Sequence, residues 1–217
     1  NRTFDLIDIP LTGTSPSGSF GIIEDYRFTV EAFKEYLSHL KDHGMLSIQT
    51  FIVPPPRTEL RILSTLVTSM EEMGIKEPYK NIVSIRSWGT ITIIAKKVPF
   101  TLEEGEAVRR FSKERRFDLV YLTGMADAEA NVYVKMPSDE YPMAFKTILD
   151  SRTRGAFLRD YLFDINPVRD ENPFFNYYLK LENIVKIYSV MGKKWAYFLE
   201  EGYLLPIVFI QVFFISI

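Results

Sequence analysis

Alternating and helically spaced apolar residues predict strands and helices in turn along the chain. The run Phe4-Asp5-Leu6-Ile7-Asp8-Ile9 predicts a first strand, and the apolar run from Met45 to Ile52 predicts a second, buried strand. Three prolines at 54–56 end that strand, because proline has no N–H to donate to a neighbouring strand. Between the two strands, Thr29 predicts the N-cap of a helix that Gly44 ends.

The pattern after the prolines predicts a second helix, a hairpin and several shorter elements. Apolar spacing predicts a helix from Arg57 to Met73 that Gly74 ends, and two β-rich runs, at 82–86 and 90–95, predict an antiparallel hairpin. The further predicted elements are a charged helix at 102–116, a strand at 117–122, and helices at 139–152 and 156–163. The order strand, helix, strand, helix, hairpin indicates the second half of a doubly wound α/β domain.

Composition excludes several classes of protein and of site. A chain of 217 residues that is 47% hydrophobic and 25% charged fits one folded domain, with or without an appendage, and excludes disorder as the main state. The absence of cysteine excludes disulfides, zinc–thiolate sites and a thiol nucleophile. The net charge of −2 provides no basic field for a nucleic-acid duplex, so we predict no nucleic-acid partner.

Histidines and glycines limit the cofactors that the chain itself can hold. The i, i+4 spacing of His39 and His43 on a helix can bind a metal, but without a third ligand nearby it favours solvated side chains, and we predict no metal. The chain has no G-x-G-x-x-G, P-loop or G-x-S-x-G motif. We therefore expect the main binding motif of any cofactor to lie upstream of residue 1, where the chain opens directly into a strand.

The C-terminal segment is uncharged from Tyr203 to Ile217 and carries Ile, Leu, Val or Phe at 11 of its 15 positions. Such a run predicts the start of a transmembrane helix, truncated at residue 217, or alternatively a buried core helix. Trp195 and Tyr197 resemble an interfacial aromatic belt, which favours the membrane. The two lysines before them favour a cytoplasmic location for the α/β domain.

Three longer stretches of the chain resemble one known family. They are similar to the fourth strand, the following helix with the fifth strand, and the late hairpin of the spermidine synthase (aminopropyltransferase) family: Phe4–Ile9, Tyr36–Gln49 and Ser87–Lys97. The resemblance is closer to the membrane-associated spermidine-synthase-like proteins. Shorter pieces carry it: Glu24-Asp25-Tyr26, Thr29, Glu31-Ala32-Phe33, Tyr36-Leu37, Pro55-Pro56-Arg57 and Asp170-Glu171-Asn172-Pro173-Phe174-Phe175. It covers residues 1–122 well and residues 164–217 more loosely.

The resemblance implies both a fold and an activity. Residues 1–122 would form part of a Rossmann-like, methyltransferase-type sheet with a C-terminal hairpin, 123–201 a helical and irregular extension, and 202–217 the start of the transmembrane helix. The implied activity is transfer from S-adenosylmethionine or its decarboxylated form to a small-molecule substrate, in a protein attached to a membrane. The alternative is a catalytically inactive ligand-sensing or assembly module of a membrane protein.

One departure from the family concerns the catalytic base. Aminopropyltransferases carry an aspartate at the end of the fourth strand, which deprotonates the attacking amine. In this chain that place falls at Pro10 and the next acidic position falls at Gly13, neither of which can act as a base. Asp8, two residues earlier on the same face, is the candidate replacement, unless it pairs with a backbone group or an arginine. We therefore expect spermidine synthesis to be absent or weak.

Further candidate site residues lie where the predicted strands end. Glu24 and Asp25 are candidate catalytic carboxylates beside Tyr26, a candidate substrate-binding residue; alternatively, the acids complement the dipole of the next helix. Arg57 begins a helix, where a cation is unfavourable, so it either binds an anionic ligand or forms an ion pair.

Two more residues are candidates for substrate binding. Gln49, near the end of the second strand, either reaches the substrate or caps the sheet edge. Trp88, in the hairpin turn, either anchors the core or stacks on the substrate.

Overall fold

A five-stranded open sheet organises the molecule, of which the computed structural model describes residues 2–12, 23–191 and 204–216. The strands are β1 (Phe4–Thr12), β2 (Leu40–Phe51), β3 (Ile82–Arg86), β4 (Thr90–Lys96) and β5 (Asp118–Tyr121), in the order β1-β2-β4-β3-β5. β1 pairs parallel with β2, while β4 pairs antiparallel with both β2 and β3. β1, β2 and β3 therefore run in one direction, and β5 pairs antiparallel with β3 at the far edge.

Seven α-helices are described in addition to the sheet. They are α1 (Val30–Ser38), α2 (Thr58–Glu72), α3 (Leu102–Arg115), α4 (Glu140–Leu149), α5 (Ser151–Asp160), α6 (Ile184–Met191) and α7 (Leu204–Ile215). α1 connects β1 to β2 and α2 connects β2 to β3, so the chain contains two consecutive β-α-β units. α2 packs against both α1 and α4, and α3 packs against β5.

The two faces of the sheet are covered unequally. On one face, Leu46 and Ile48 of β2 join the main hydrophobic core with α1, α2 and α4. Successive residues of a strand point to opposite faces, so Val83, next to the core residue Ile82, points the other way, into a smaller cluster with Val108 of α3. α3 therefore covers the second face at the β3–β5 end.

The remainder of the second face, which we call the open face, lies on β1, β2 and β4. Leu6, Met45 and Phe51 on this face are 54%, 39% and 38% exposed. The outer edge of β1 has no strand partner among the described residues. The open face is thus left uncovered, and the outer edge of β1 unpaired, by the part of the chain that the structure describes.

The stretch after residue 122 shares the main core. Phe145 and Ile148 of α4 are fully buried in it, as are Phe163, Phe175 and Ile187 from the segments that follow. The predicted helices at 139–152 and 156–163 correspond to α4 and α5, which Asp150 alone separates.

The start of α1 is confirmed, whereas its predicted end is wrong. The Thr29 hydroxyl caps α1 by accepting the Ala32 N–H at 3.1 Å. α1 ends at Ser38, and Gly44 lies inside β2. A Cβ at Gly44 would meet the Phe4 carbonyl oxygen at 2.7 Å, so glycine is needed there for close approach of β1.

The helical placement of the two histidines is also wrong. His39 is the C-cap of α1, and His43 lies in β2, so the two do not share a helix. Within the described residues, no group of three or more His, Cys, Asp or Glu side chains could hold a metal ion. The two histidines therefore do not lie one helical turn apart, as a metal-binding pair on a helix would require.

The second helix and the hairpin match their predictions closely. α2 begins after Arg57, and Gly74 beyond its end has a φ of +87°, in the left-handed region that glycine tolerates. The hairpin closes through the Ser87 N–H, which donates to the Thr90 carbonyl at 2.8 Å. The predicted strand at 117–122 is β5.

The C-terminal helix is apolar except at Gln211. α7 has 12 residues, and its side chains from Val208 onward are exposed, which does not support the buried-core alternative. No helix in the described ranges is long and apolar enough to cross a membrane, so the predicted spanning segment is not supported. Gly13, Trp195, Tyr197 and the two lysines before Trp195 lie outside the described residues.

Candidate functional site

The carboxyl ends of the three parallel strands meet at one edge of the sheet. β1, β2 and β3 end there at Thr12, Phe51 and Arg86, and we call this the carboxyl edge. α1 and α2 begin at the same edge because each follows a parallel strand. Open α/β sheets bind ligands in the crevice outside this edge. The predicted site residues that lie at the carboxyl edge are Glu24, Asp25, Tyr26, Arg57 and Trp88.

Glu24 and Tyr26 form an exposed pair before α1. The Tyr26 hydroxyl donates a hydrogen bond to Glu24 Oε2 at 3.0 Å, and Tyr26 is 52% exposed. That hydrogen bond is the main reason why the pKa of the Tyr26 phenol is raised above its usual value, with desolvation adding to it. A carboxylate and a phenol are therefore presented together to solvent at the start of α1.

Asp25 is engaged by its neighbours. Its carboxylate accepts hydrogen bonds from Arg27 Nε at 2.8 Å and Arg27 Nη2 at 2.7 Å, which raises the pKa of the Arg27 guanidinium. It also accepts the Arg27 backbone N–H at 3.2 Å and so caps the 3₁₀ turn Tyr26–Phe28. The Asp25 N–H donates to the Pro173 carbonyl at 2.7 Å. Asp25 therefore caps the 3₁₀ turn before α1, whereas the predicted alternative placed its charge at the start of the helix itself, which Thr29 caps.

Arg57 is buried at the N-cap of α2. It is 2% exposed, and its Nη1 donates to the carbonyls of Val53 and Pro55, each at 3.0 Å. The guanidinium carbon lies 5.2 Å from the ring centroid of Phe163, within cation–π distance. Arg57 therefore holds the proline turn between β2 and α2 against the segment that follows α5.

Trp88 projects from the tip of the β3–β4 hairpin. Its exposed fraction is 83%, so the predicted alternative of a core anchor is wrong. The turn that carries it is tied by a 2.9 Å hydrogen bond between the hydroxyls of Ser87 and Thr90. Because Trp88 lies at the tip of a two-residue turn, the helices that cover the sheet do not reach its ring. The face of the Trp88 ring is therefore available for stacking.

Asp8 and Gln49 lie within strands, on the open face. Asp8 is exposed and stands beside Ser47 in the β1–β2 register. Gln49 is half-buried, and its Nε2 is 3.5 Å from the Thr92 hydroxyl across the β2–β4 pair. Neither residue is therefore grouped with Glu24 and Tyr26, which precede α1 on the helix-covered side.

A segment for which the sequence pattern predicts no helix or strand covers the first turns of α1 and α2. We call residues 164–177 the covering segment. Its Val168 carbonyl accepts the Val30 N–H at 2.8 Å, and its Phe175 and Tyr177 carbonyls accept from Arg61 Nη1 at 2.8 and 2.7 Å. Burial lowers the pKa of the Arg61 guanidinium, and its 3.0 Å contact with Asp164 acts in the opposite direction.

Two cavities lie outside the predicted set of site residues. One of about 670 Å³ is lined by Arg61 and the covering segment. Another of about 440 Å³ is lined by Tyr79, Tyr121 and the junction of α4 with α5. Because β5 is antiparallel to β3, Tyr121 at the end of β5 places the second cavity at the sheet edge opposite the carboxyl edge. None of the seven predicted site residues lines either cavity.

Sequence analysis missed a set of buried polar residues near the carboxyl edge. Glu59, Arg86, Asp118 and Tyr141 are all at most 2% exposed. A signal was available for Asp118, since it opens the apolar run Leu119–Leu122 of a predicted strand. Polar side chains at such positions require partners, and those partners come from residues far apart in the chain.

Comparison with known proteins does not assign the chain to a family. No protein-family model matches it, and no curated protein matches it significantly. The resemblance to spermidine-synthase-like proteins therefore remains a prediction from the short stretches that carry it.

Proposed function

We propose that this chain is part of a spermidine-synthase-like transferase domain, which binds S-adenosylmethionine or its decarboxylated form at the carboxyl edge. The observation that carries the proposal is the sheet order, in which three parallel strands are joined by α1 and α2. Such β-α-β units build doubly wound sheets, whose ligands bind outside the carboxyl ends of the strands. Trp88 lies two residues before β4, where the resemblance places a tryptophan ahead of the last strand, although β5 follows β4 in this chain.

The open face and the free edge of β1 support a sheet that extends further. Doubly wound sheets carry helices on both faces, whereas Leu6, Met45 and Phe51 are uncovered within the described residues. A long unpaired apolar edge strand also favours pairing with another strand. The proposed full domain adds strands beside β1 and helices on the open face, with the cofactor's main binding motif among them.

The proposed reaction transfers a carbon group from a sulfonium centre. The nucleophile attacks the carbon next to sulfur, a bond to that carbon forms, and the carbon–sulfur bond breaks with its electron pair left on a neutral thioether. Positioning supplies much of such catalysis, and a base is needed only when the nucleophile is protonated. Glu24 is the best-placed proton acceptor because it lies at the carboxyl edge without an ion-pair partner among the described residues, unlike Asp25.

The substrate-binding roles proposed for Tyr26, Gln49, Arg57 and Trp88 differ in the support they receive. Trp88 has an exposed ring for stacking, and Tyr26 has an exposed phenol. Arg57 has its guanidinium engaged by two carbonyls and an aromatic ring, so it acts by shaping the turn. Gln49 acts on the open face, beside the proposed additional helices.

The second candidate function is a module without catalysis that senses a ligand or assembles a membrane protein. The position of Asp8 favours it. Asp8 is exposed on the open face in the middle of β1, and Pro10 follows on the same face. The end of β1 thus lacks the carboxylate that the transferase family uses. The open face and the unpaired edge of β1, which can bind another protein, are still present.

The C-terminal segment is proposed to attach the protein to a membrane, with the α/β domain on the cytoplasmic side. Side chains of α7 that are more than half exposed include Phe209, Phe213 and Phe214. Apolar surface of this extent is unfavourable in water and is typical of a membrane or protein contact.

Isothermal titration of the full-length protein, with the strands proposed beside β1, against S-adenosylmethionine and its decarboxylated form tests the main proposal. We expect heat of binding with one of them, and weaker binding after Trp88→Ala. Leu102→Ala, which removes a 91% exposed side chain at the start of α3, is the matched control and should bind normally. Binding without turnover supports the sensing module, and the absence of both heat and thermal stabilisation contradicts the transferase proposal.

A further inference from the structure

The C-terminal end of α3 and the residue after it carry a cluster of basic side chains, which we call the basic turn (residues 110–116). It contains four cations and a single acid: Arg110, Lys113, Arg115, Arg116 and Glu114. Residues 110–116 therefore have a net charge of +3, in a chain whose net charge is −2. All five of these charged residues are exposed.

Neither the four cations nor Glu114 forms an ion pair within the described residues. Glu106 stands four residues before Arg110, but it pairs with Arg109 at 3.0 Å, and Arg109 also contacts Glu129 at 2.7 Å. The acid of the preceding helical turn is thus engaged by another arginine. The positive charges of the basic turn are left without a neutralising group in the part of the chain that the structure describes.

The helix dipole explains only part of this cluster. A helix C-terminus favours cations in its last turn, which accounts for Lys113 and Arg115. Arg110 lies more than one turn before the end of α3. Arg116 has a φ of +55°, in the left-handed region where helices most often place glycine because a side chain is unfavourable there. The chain thus carries a cation at a position whose backbone disfavours it.

An exposed phenylalanine accompanies the cations. Phe111 is 45% exposed, and its i, i+4 spacing places it on the same side of α3 as Arg115. Its ring lies edge-on to that of Phe117, with 5.7 Å between the ring centroids. The buried residues of α3 are Gly105 and Ser112, so α3 packs against the sheet through a different side. The basic turn therefore presents an aromatic ring beside its charges.

The basic turn lies at the carboxyl edge of the sheet. Asp118 opens β5 and is paired in register with Arg86, the last residue of β3. Because the basic turn leads into Asp118 through residue 117, it lies at that end of the sheet, as does the hairpin tip that carries Trp88. The open face lies on β1, β2 and β4, whereas α3 packs against β5. Helices added on the open face would therefore leave the basic turn exposed.

Unpaired cations beside an exposed aromatic ring match a surface rich in anionic headgroups. We propose that the basic turn binds the anionic surface of a lipid bilayer. Clusters of about four to eight Lys and Arg side chains bind anionic lipids, and a neighbouring aromatic side chain can enter the interface. The inference rests on the proposed membrane attachment, because that attachment brings the basic turn to a bilayer.

The proposal also sets the orientation of the domain on the membrane. The cytoplasmic leaflet, on the side proposed for the α/β domain, is the one that carries anionic lipids. Binding through the basic turn directs the carboxyl edge towards this leaflet, so the proposed ligand crevice opens beside the headgroups. The contact is electrostatic and should weaken at high salt, because dissolved ions screen exposed charges.

Sedimentation of the full-length protein with two kinds of vesicle tests the proposal. One kind contains phosphatidylcholine alone, and the other also contains phosphatidylglycerol, which is anionic. We expect the unmodified protein to bind the anionic vesicles more tightly. Arg110→Gln with Lys113→Gln should weaken binding to the anionic vesicles about 25-fold, at about fivefold for each cation, and should leave binding to the neutral vesicles unchanged. The matched control is Arg152→Gln with Arg159→Gln, which removes two cations of α5 that are 87% and 73% exposed and should bind both kinds of vesicle normally.

The two kinds of vesicle separate this proposal from the attachment through α7. An absence of binding to neutral vesicles contradicts the attachment through α7, whereas the anionic vesicles still test the basic turn. The proposal is overturned if the unmodified protein does not prefer anionic vesicles, or if the basic-turn variant and the control lose the same amount of binding. Binding of a DNA duplex that requires Arg110 and Lys113, without a preference for anionic vesicles, would assign the basic turn to nucleic acid instead.

Discussion

Arg86 and Asp118 form a buried ion pair that joins the end of β3 to the start of β5. Arg86 Nη2 lies 3.1 Å from Asp118 Oδ2, with the two side chains 1% and 0% exposed. The Asp118 carboxylate also accepts the backbone N–H groups of Val132, Tyr133 and Val134 at 2.6, 2.7 and 2.9 Å. One carboxylate therefore neutralises the arginine and fixes the loop after β5 against the sheet.

Asp118→Asn should destabilise the protein severely. The change leaves the Arg86 charge buried without its counterion, which typically costs about 3–5 kcal/mol. Urea unfolding followed by circular dichroism measures the loss. Asp127→Asn is the control, since that carboxylate pairs with Lys146 but is 96% exposed, and exposed pairs contribute little.

Replacing both members of the buried pair should recover much of that loss. Arg86→Met with Asp118→Leu removes both charges together, and well-packed apolar replacements of buried ion pairs are often neutral. The loop N–H groups at 132–134 would still lose their acceptor, so we expect partial recovery. A double variant that is less stable than Asp118→Asn would contradict a dominant role for the unpaired charge.

Glu59 should make folding stability depend on pH. Burial raises the pKa of Glu59 from 4.5 to about 7, and the nearby charge of Glu140 also raises it. The Arg57 charge and backbone N–H groups lower this pKa, but they offset the desolvation only in part. The folded state thus holds the proton more tightly. The contribution of Glu59 protonation to the free energy of unfolding is complete below pH 4.5. It is lost as the pH rises through 7, and the total loss is about 3 kcal/mol.

Glu59→Gln should flatten that part of the pH profile. The amide keeps the size of the side chain and removes its titration, so thermal unfolding between pH 5 and pH 8 should depend less on pH than in the unmodified protein. Glu103→Gln, at an exposed position in the first turn of α3, should leave the profile unchanged. An unaltered slope in Glu59→Gln would mean that Glu59 does not gain a proton near neutral pH.

Two glycine-to-alanine substitutions should have opposite effects. Gly44→Ala would place Cβ 2.7 Å from the Phe4 carbonyl oxygen, forcing β1 from β2, and should destabilise the protein. Gly155→Ala, within α5, meets no atom within 4 Å and should stabilise it by about 0.5–1 kcal/mol. Thermal melting compares the two variants directly. Equal melting temperatures for both would contradict the close approach at Gly44.

Binding of α7 to lipid should depend on its phenylalanines. We expect the protein to sediment with phosphatidylcholine vesicles, and Phe209→Glu with Phe213→Glu to weaken this by more than tenfold. Each buried phenylalanine contributes about 1.5–3 kcal/mol, and charged replacements add an opposing cost. Leu102→Glu in α3 is the control and should sediment as the unmodified protein does. Full sedimentation of the double variant would exclude α7 as the attachment.

Spermidine formation from putrescine and decarboxylated S-adenosylmethionine should be absent or very weak. Pro10 and Gly13 provide no base for the amine, and Asp8 lies on the open face. The purified protein can be assayed beside an established aminopropyltransferase as the positive control. Robust turnover would contradict the expectation and would assign the base to Asp8, Glu24 or Asp25, which single asparagine or glutamine variants would then separate.

Most of the secondary structure could be predicted from the sequence, because caps, prolines and turn residues act on groups nearby in the chain. Thr29 caps α1 as its hydroxyl predicts, the prolines at 54–56 end β2, and Ser87-Trp88-Gly89 turns the hairpin. These features are decided by groups a few residues apart, so they need no knowledge of the fold. Gly44 was misassigned because its reason for being glycine is the carbonyl of Phe4, which lies 40 residues away in the chain.

The site depended on contacts that only the tertiary structure makes. Sequence pattern placed Glu24, Asp25, Tyr26, Arg57 and Trp88 near strand ends, but it could not show that Arg27 neutralises Asp25 or that Trp88 is exposed.

The sequence by itself determined the order of the elements, since the period of apolar residues and the caps are local properties. Only the tertiary structure decided the insertion of β4 between β2 and β3, the open face beside β1 and the pairing of Arg86 with Asp118. The physical reason is that a buried polar group takes whichever partner the packed fold brings to it, and these partners come from segments tens of residues apart.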